Sequence, residues 1–139
     1  MNPIFRNILA VILGWFIGGA VNMGIVMLGH KLMPIPGIDP NDMEALAQAL
    51  ETAGSEFFIF PFLAHALGTL VGAFIAAAIA ASHQLKFALA IGVLFLTGGI
   101  AACFMIPAPA WFIVLDLVVA YLPMAWLGGK MGVRLSNRI

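Results

Sequence analysis

Four apolar runs, each about twenty residues long or longer and separated by short breaks, constrain this chain more than any other feature. A helix needs about 20 predominantly apolar residues to cross the hydrocarbon core of a bilayer. The runs fall at about 4–28, 57–81, 87–106 and 110–129. The first is interrupted only by Arg6, Asn7 and Asn22, the second contains His65, the third carries no charge, and the fourth contains Asp116. Helices satisfy their own backbone hydrogen bonds in lipid. A membrane β-barrel would instead alternate polar and apolar residues in shorter segments, which these runs do not do. The expected fold is therefore an all-α membrane protein: a single transmembrane domain over 1–139, built as an antiparallel four-transmembrane-helix bundle.

Composition agrees with that reading. Charged residues make up 9% of the 139-residue chain, against roughly 25% in soluble domains, and 63% is hydrophobic. Six basic and six acidic residues cancel, so no global field recruits a polyanion, and a nucleic-acid partner is not expected. The single cysteine, Cys103, rules out an intrachain disulfide and a cysteine zinc cluster. Arg6 before an apolar run, followed by Gly18-Gly19-Ala20, resembles a signal peptide. The run continues to Leu28, however, beyond the 7–15 residues of a typical signal core, and is taken as an uncleaved first span.

The charges imply an orientation. With alternating spans, Arg6, Lys86, Lys130, Arg134 and Arg138 share one side. The other side holds Lys31 with Asp39, Asp42, Glu44, Glu51 and Glu56. The positive-inside rule then places both termini in the cytoplasm. Trp111 and Trp126, at opposite ends of the fourth span, suit interfacial anchoring or simple contact with lipid. The loop between spans one and two is outside. Pro34, Pro36 and Gly37 break the helix there, and Asp39-Pro40 reads as a cap and first turn. Met43, Leu46, Ala47 and Leu50 then recur at helical spacing. The expectation is a short extracytoplasmic amphipathic helix at about 40–53, with Ser55 capping the second span. Its acids lack the spacing of a calcium loop and are taken as a solvated face.

Helix packing in lipid requires close backbone approach. The second span repeats small residues every fourth position: Ala64, Gly68, Gly72, Ala76 and Ala80. The first span offers Gly14-x-x-x-Gly18, and Gly128-x-x-x-Gly132 runs along the end of the fourth. The stripe on span two suits packing within the bundle or against a second copy, and a homo-oligomer or larger membrane complex is the expected assembly.

The chemical hint lies in three polar residues on three spans. Asn22, His65 and Asp116 each fall roughly 10–14 Å below the outer boundary when helical rise is counted. Asn22 is in register with Gly14 and Gly18, and His65 with Gly68, Thr69 and Gly72. Pro123, which cannot donate to the Val119 carbonyl, follows Asp116 by two turns and is expected with Thr69 to line the same site. An aspartate at a helix centre costs roughly 2.5–3.5 kcal/mol to insert. It has to be paired, hydrated or protonated, and His65 is its best partner. Such a cluster can hold or pass a proton, or it can tie three helices together.

Other signals are weaker. His30 and His83 sit at span ends and are taken as interfacial. No metal site, cofactor or catalytic residue is assigned. A Cys103–His65–Asp116 nucleophilic arrangement would need Cys103 at the depth of His65, and the counted depths differ. Thr69 and Thr97 are expected to bond their own helix backbones.

The stretches from Phe57 to Thr69 (FFIFPFLAHALGT) and from Trp111 to Asp116 (WFIVLD), together with Asn22-Met23-Gly24, resemble small four-span bacterial membrane proteins. The resemblance implies a bacterial inner-membrane setting and no activity. Two functions follow from the residues. One is a small transporter or channel for an ion, proton or small solute, using Asn22, His65 and Asp116. The other is a structural or accessory membrane protein, a subunit or scaffold without its own chemistry. An enzyme is not the expectation.

Overall fold

The computed structural model describes residues 1–138, and these are 80% helical with no strand. Among the described residues four helical segments are long and apolar enough to cross a membrane, the fourth of them interrupted. Helix α1 spans Pro3–Leu32. The short α2 spans Met43–Glu51. A 3-10 turn, Ser55–Phe58, leads directly into α3, Ile59–Ile79. Helix α4 spans Gln84–Met105. The fourth apolar segment is two helices, α5 (Ala110–Val119) and α6 (Leu122–Ser136).

Several boundaries differ from the sequence expectation. Helix α1 runs one turn beyond Leu28. Helix α2 is capped by Asp42, whose side chain accepts from the Ala45 N–H at 3.0 Å. Asp39 is unavailable as the cap because its carboxylate already accepts from the backbone N–H of Asn41 at 2.9 Å, closing a local turn. Ser55 caps nothing; it opens the 3-10 turn after Gly54. The largest difference is in the fourth segment, where Tyr121 (φ −113°, ψ −81°) leaves helical geometry. Pro123 explains it: in a continuous helix its ring would press on the Val119 carbonyl and leave that acceptor unpaired. The chain breaks before the proline and restarts with Pro123 in the first turn of α6, where a missing N–H costs nothing.

Helix α3 is the common packing partner of α1, α4 and α6. Its small face makes this possible. A Cβ built on Gly14 would lie 2.6 Å from the Gly72 carbonyl oxygen, and one on Gly18 would lie 2.6 Å from that of Gly68. The two Gly-x-x-x-Gly pairs therefore face each other in an antiparallel seam, backbone against backbone. The stripe on α3 is occupied by α1 of the same chain, so a second copy would have to use another face. On a different side of α3, Gly128 and Gly132 of α6 close on the Leu70 and Phe74 carbonyls. Gly92 and Gly129 bring α4 and α6 together against Ala125 and Ala88.

The core is correspondingly built from small residues. Ala73, Ala76, Ala77, Ala88, Ile91 and Ala125 form its main cluster, and the largest fully buried side chains are Tyr121, Ile91 and Thr69. Large apolar side chains such as Phe16 (66% exposed), Val114 (63%) and Phe104 (89%) point outward. A water-soluble fold reverses that arrangement, and an apolar surface of this extent calls for a nonaqueous surround.

Polar contacts fasten the ends. Arg6 Nε donates to the Ile79 carbonyl, and Asn7 accepts from the Ala81 N–H at 2.7 Å while its amide donates to Ser82 at 3.1 Å. The start of α1 thus satisfies backbone groups left open where α3 stops. Gln84 donates to Ser136 at 2.7 Å, joining the start of α4 to the end of α6. At the opposite end, Leu46 and Leu50 of α2 close an apolar cavity of about 70 Å³ with Phe57, Phe60 and His30.

The glycine seams yield a sharp contrast. Gly14→Leu or Gly72→Leu should destabilise the fold by at least ~1–3 kcal/mol, the usual cost of overpacking. Gly19→Ala and Gly98→Ala, where an added Cβ meets nothing within 4 Å, should be neutral or stabilising by up to ~1 kcal/mol, because alanine is the better helix former. Equilibrium unfolding in mixed micelles measures both.

Candidate functional site

The site is built around a single carboxylate. Asp116, on α5, is 4% exposed. His65, on α3, places Nδ1 2.9 Å from both Oδ1 and Oδ2 of Asp116. Tyr121, in the break between α5 and α6, donates its hydroxyl hydrogen to Oδ2 at 3.0 Å. The imidazole and phenol rings stack, with centroids 5.7 Å apart and planes inclined by 29°. Three groups from α3, α5 and the interhelical break therefore form one compact triad.

Local structure explains each position. His65 lies six residues into α3 and Asp116 six residues into α5, so both sit roughly 9 Å from the start of their helices. Phe58 aligns those starts by packing on Phe112 (4.8 Å between centroids) and Trp111 (5.9 Å). Tyr121 is five residues after Asp116, which in a continuous helix would place it about 140° around the axis. The break at Tyr121 returns its side chain to the carboxylate. Gly99 of α4 leaves room for the phenol, since a Cβ there would collide with the Tyr121 hydroxyl.

The carboxylate accepts and the two partners donate, a pattern that fixes the proton facing Asp116 on His65 Nδ1 when the acid is ionised. When His65 is imidazolium, that proton can pass across the 2.9 Å contact to the carboxyl, leaving neutral imidazole and carboxylic acid. The pair thus offers two arrangements of one proton, and the tyrosine hydroxyl donates to the same carboxyl group. The His65 side chain is 23% exposed, whereas that of Asp116 is 5% exposed. The imidazole is the member of the pair that reaches the outside of the packed chain.

The remaining candidates fall elsewhere. Asn22 does not join the triad. It packs on Gly68, one turn along α3 from His65, and its Oδ1 is buried without a hydrogen-bond partner among the described residues. Thr69 is fully buried, and its hydroxyl lacks a partner there too; it does not bond back to its helix. Thr97 does, donating to the Val93 carbonyl at 2.9 Å. Pro123 is exposed and does not touch the triad by hydrogen bonding; it acts by breaking the helix. Cys103 is half-buried, and the hydrogen bonds of His65 go to Asp116. Among the described residues no group of three or more His, Cys, Asp or Glu side chains is placed to hold a metal ion. Tyr121 is the residue that sequence reasoning passes over. Two signals point to it: it is the sole tyrosine, and a buried phenol needs a hydrogen-bond partner.

No protein-family model, curated protein or solved structure matches the chain.

Removing one donor tests the triad directly. Tyr121→Phe leaves Asp116 with one donor and should cost ~1–3 kcal/mol. Asp116→Asn should cost a similar amount, and the double variant less than the sum, by ~0.5–3 kcal/mol. A thermodynamic cycle in micelles or bicelles reads this coupling; strictly additive effects would contradict the contact.

Proposed function

We propose that this is a multi-pass protein of the bacterial inner membrane that binds and releases a proton at His65–Asp116–Tyr121 and couples that proton to the movement of a small solute or ion. The observation that carries the reading is the buried carboxylate at a discontinuity in its own span. Purely structural ties between membrane helices are available from amides and hydroxyls at lower cost, and an ionisable group in that setting is a functional hypothesis by default. Broken helices beside such groups are a recurring device of secondary transporters, because the interruption frees backbone groups and lets two half-helices move separately. Here α5 and α6 have lengths of roughly 15 Å and 22 Å, so the break falls near mid-membrane if the segment spans it.

In this reading the four long helices form an antiparallel transmembrane bundle. The end carrying Arg6, Lys86, Lys130 and Arg134 faces the cytoplasm, both termini lie there, and α2 covers the outer side. A homo-oligomer or a larger membrane complex supplies the rest of any pathway, since the triad is closely packed within one copy. That close packing also favours a second reading. The triad members satisfy one another, as they would in an accessory subunit whose polar residues only fasten helices.

Solid-supported membrane electrophysiology separates the two. A pH step across proteoliposomes should evoke a transient protein-dependent current that Asp116→Asn abolishes while the variant keeps its helicity and elution volume. His65→Gln serves as the second variant should Asp116→Asn unfold. Currents that persist unchanged in folded variants would refute the proton site. Folded wild-type protein giving no current would leave the structural role.

A further inference from the structure

One face of α6 has no part in the packing described above. Trp126, Lys130 and Arg134 follow one another every fourth residue along it, and Arg138 comes four residues later in the turn that ends the helix. All four are exposed, Trp126 by 50%. The steps are roughly 6 Å along the axis, with a drift of about 40° each, so the side chains form a continuous oblique stripe. Lys130 Nζ lies 5.4 Å from the centre of the Trp126 ring, a cation–π contact that holds the amine against the indole. Lys86 is at the same end of the molecule, because Gln84 of α4 is bonded to Ser136 of α6. It is exposed as well. Every aspartate and glutamate except Asp116 lies in the 39–56 segment at the opposite end. The stripe therefore descends from an aromatic residue suited to the membrane interface into three cations with no aspartate or glutamate beside them among the described residues.

We propose that this stripe is a binding site for the phosphodiester headgroup of an anionic phospholipid. The indole sits beside the glycerol and upper acyl region. Lys130, set on that ring, meets the phosphate, and Arg134 and Arg138 add the planar donor forks that suit phosphate oxygens. Charge complementarity selects the occupant. Cationic clusters flanking a membrane helix gain roughly fivefold in affinity for anionic lipid per basic residue near the surface. A zwitterionic headgroup gains far less, because its amine offsets the phosphate. The site is separate from the His65–Asp116–Tyr121 triad and does not depend on its function.

Fluorescence quenching of Trp126 tests the proposal. In a Trp15→Phe, Trp111→Phe background, the protein is placed in phosphatidylcholine vesicles containing either brominated phosphatidylglycerol or brominated phosphatidylcholine. The brominated anionic lipid should quench several-fold more effectively at equal mole fraction, and the preference should weaken as salt is raised. Lys130→Gln with Arg134→Gln should remove most of it while helicity is retained. Lys130→Gln alone should remove part of it, a loss of at most about fivefold, which keeps the test open if the double variant does not fold. Equal quenching by the two lipids in the wild-type background would overturn the proposal. So would a preference unchanged in folded variants, or one abolished by millimolar inorganic phosphate at constant ionic strength, which would make the site one for free phosphate.

Discussion

A buried carboxylate in an apolar helix sets conditions that the rest of this chain has to meet. Asp116 is removed from water by packing, and its oxygens can be satisfied only by donors that the chain itself brings to them. One donor, His65, comes from a helix fifty-one positions earlier in the sequence. The other, Tyr121, comes from the same segment, but only because that segment is interrupted. Alignment of α3 with α5, the break before Pro123, and the absence of a side chain at Gly99 are three separate structural facts that serve one electrostatic requirement.

The second principle is the exchange of size for proximity. In water, folding buries large apolar side chains because their removal from solvent is favourable. In lipid that drive between helices disappears, and contact area at short range takes its place. The chain follows the second rule. Glycine and alanine face inward along α3, while isoleucine, phenylalanine, leucine and tryptophan face outward. With α1 and α6 seated on the backbone of α3, the helices approach closely enough for one histidine and one aspartate to meet. The polar links of Arg6, Asn7 and Gln84 then fix the helix ends at the margin. These are the same ends where intrahelical hydrogen bonds run out.

Much of this was legible in the sequence, and the reasons are instructive. The four apolar segments are visible because length and hydrophobicity are local properties. The glycine spacing is visible because it repeats at helical period. His65 and Asp116 could be paired because their counted depths agreed and each lacked a cheaper partner. Asn22 had a similar depth, but depth alone does not fix the azimuth of a side chain, and its helix presents it to Gly68. Tyr121 was hidden for the complementary reason: an ideal helix places it about 140° from Asp116, so only the break makes them neighbours. Pro123 announced a disturbance without giving its size. The cap of α2 falls at Asp42, three residues after the Asp39 that the pattern suggests, because Asp39 has a nearer donor, the Asn41 N–H, that competes with the helix.

If the triad is the centre of the protein, the contact between His65 and Asp116 should exist in a bilayer as well as in the isolated fold. Solid-state NMR on protein in lipid, labelled with ¹⁵N at histidine and ¹³C at aspartate, measures it through the dipolar coupling between His65 Nδ1 and the Asp116 carboxyl carbon. A strong coupling is expected, consistent with direct hydrogen bonding, and it should disappear in Asp116→Asn protein labelled in the same way. A resolved His65 signal with no coupling to Asp116 in the folded wild-type protein would contradict it.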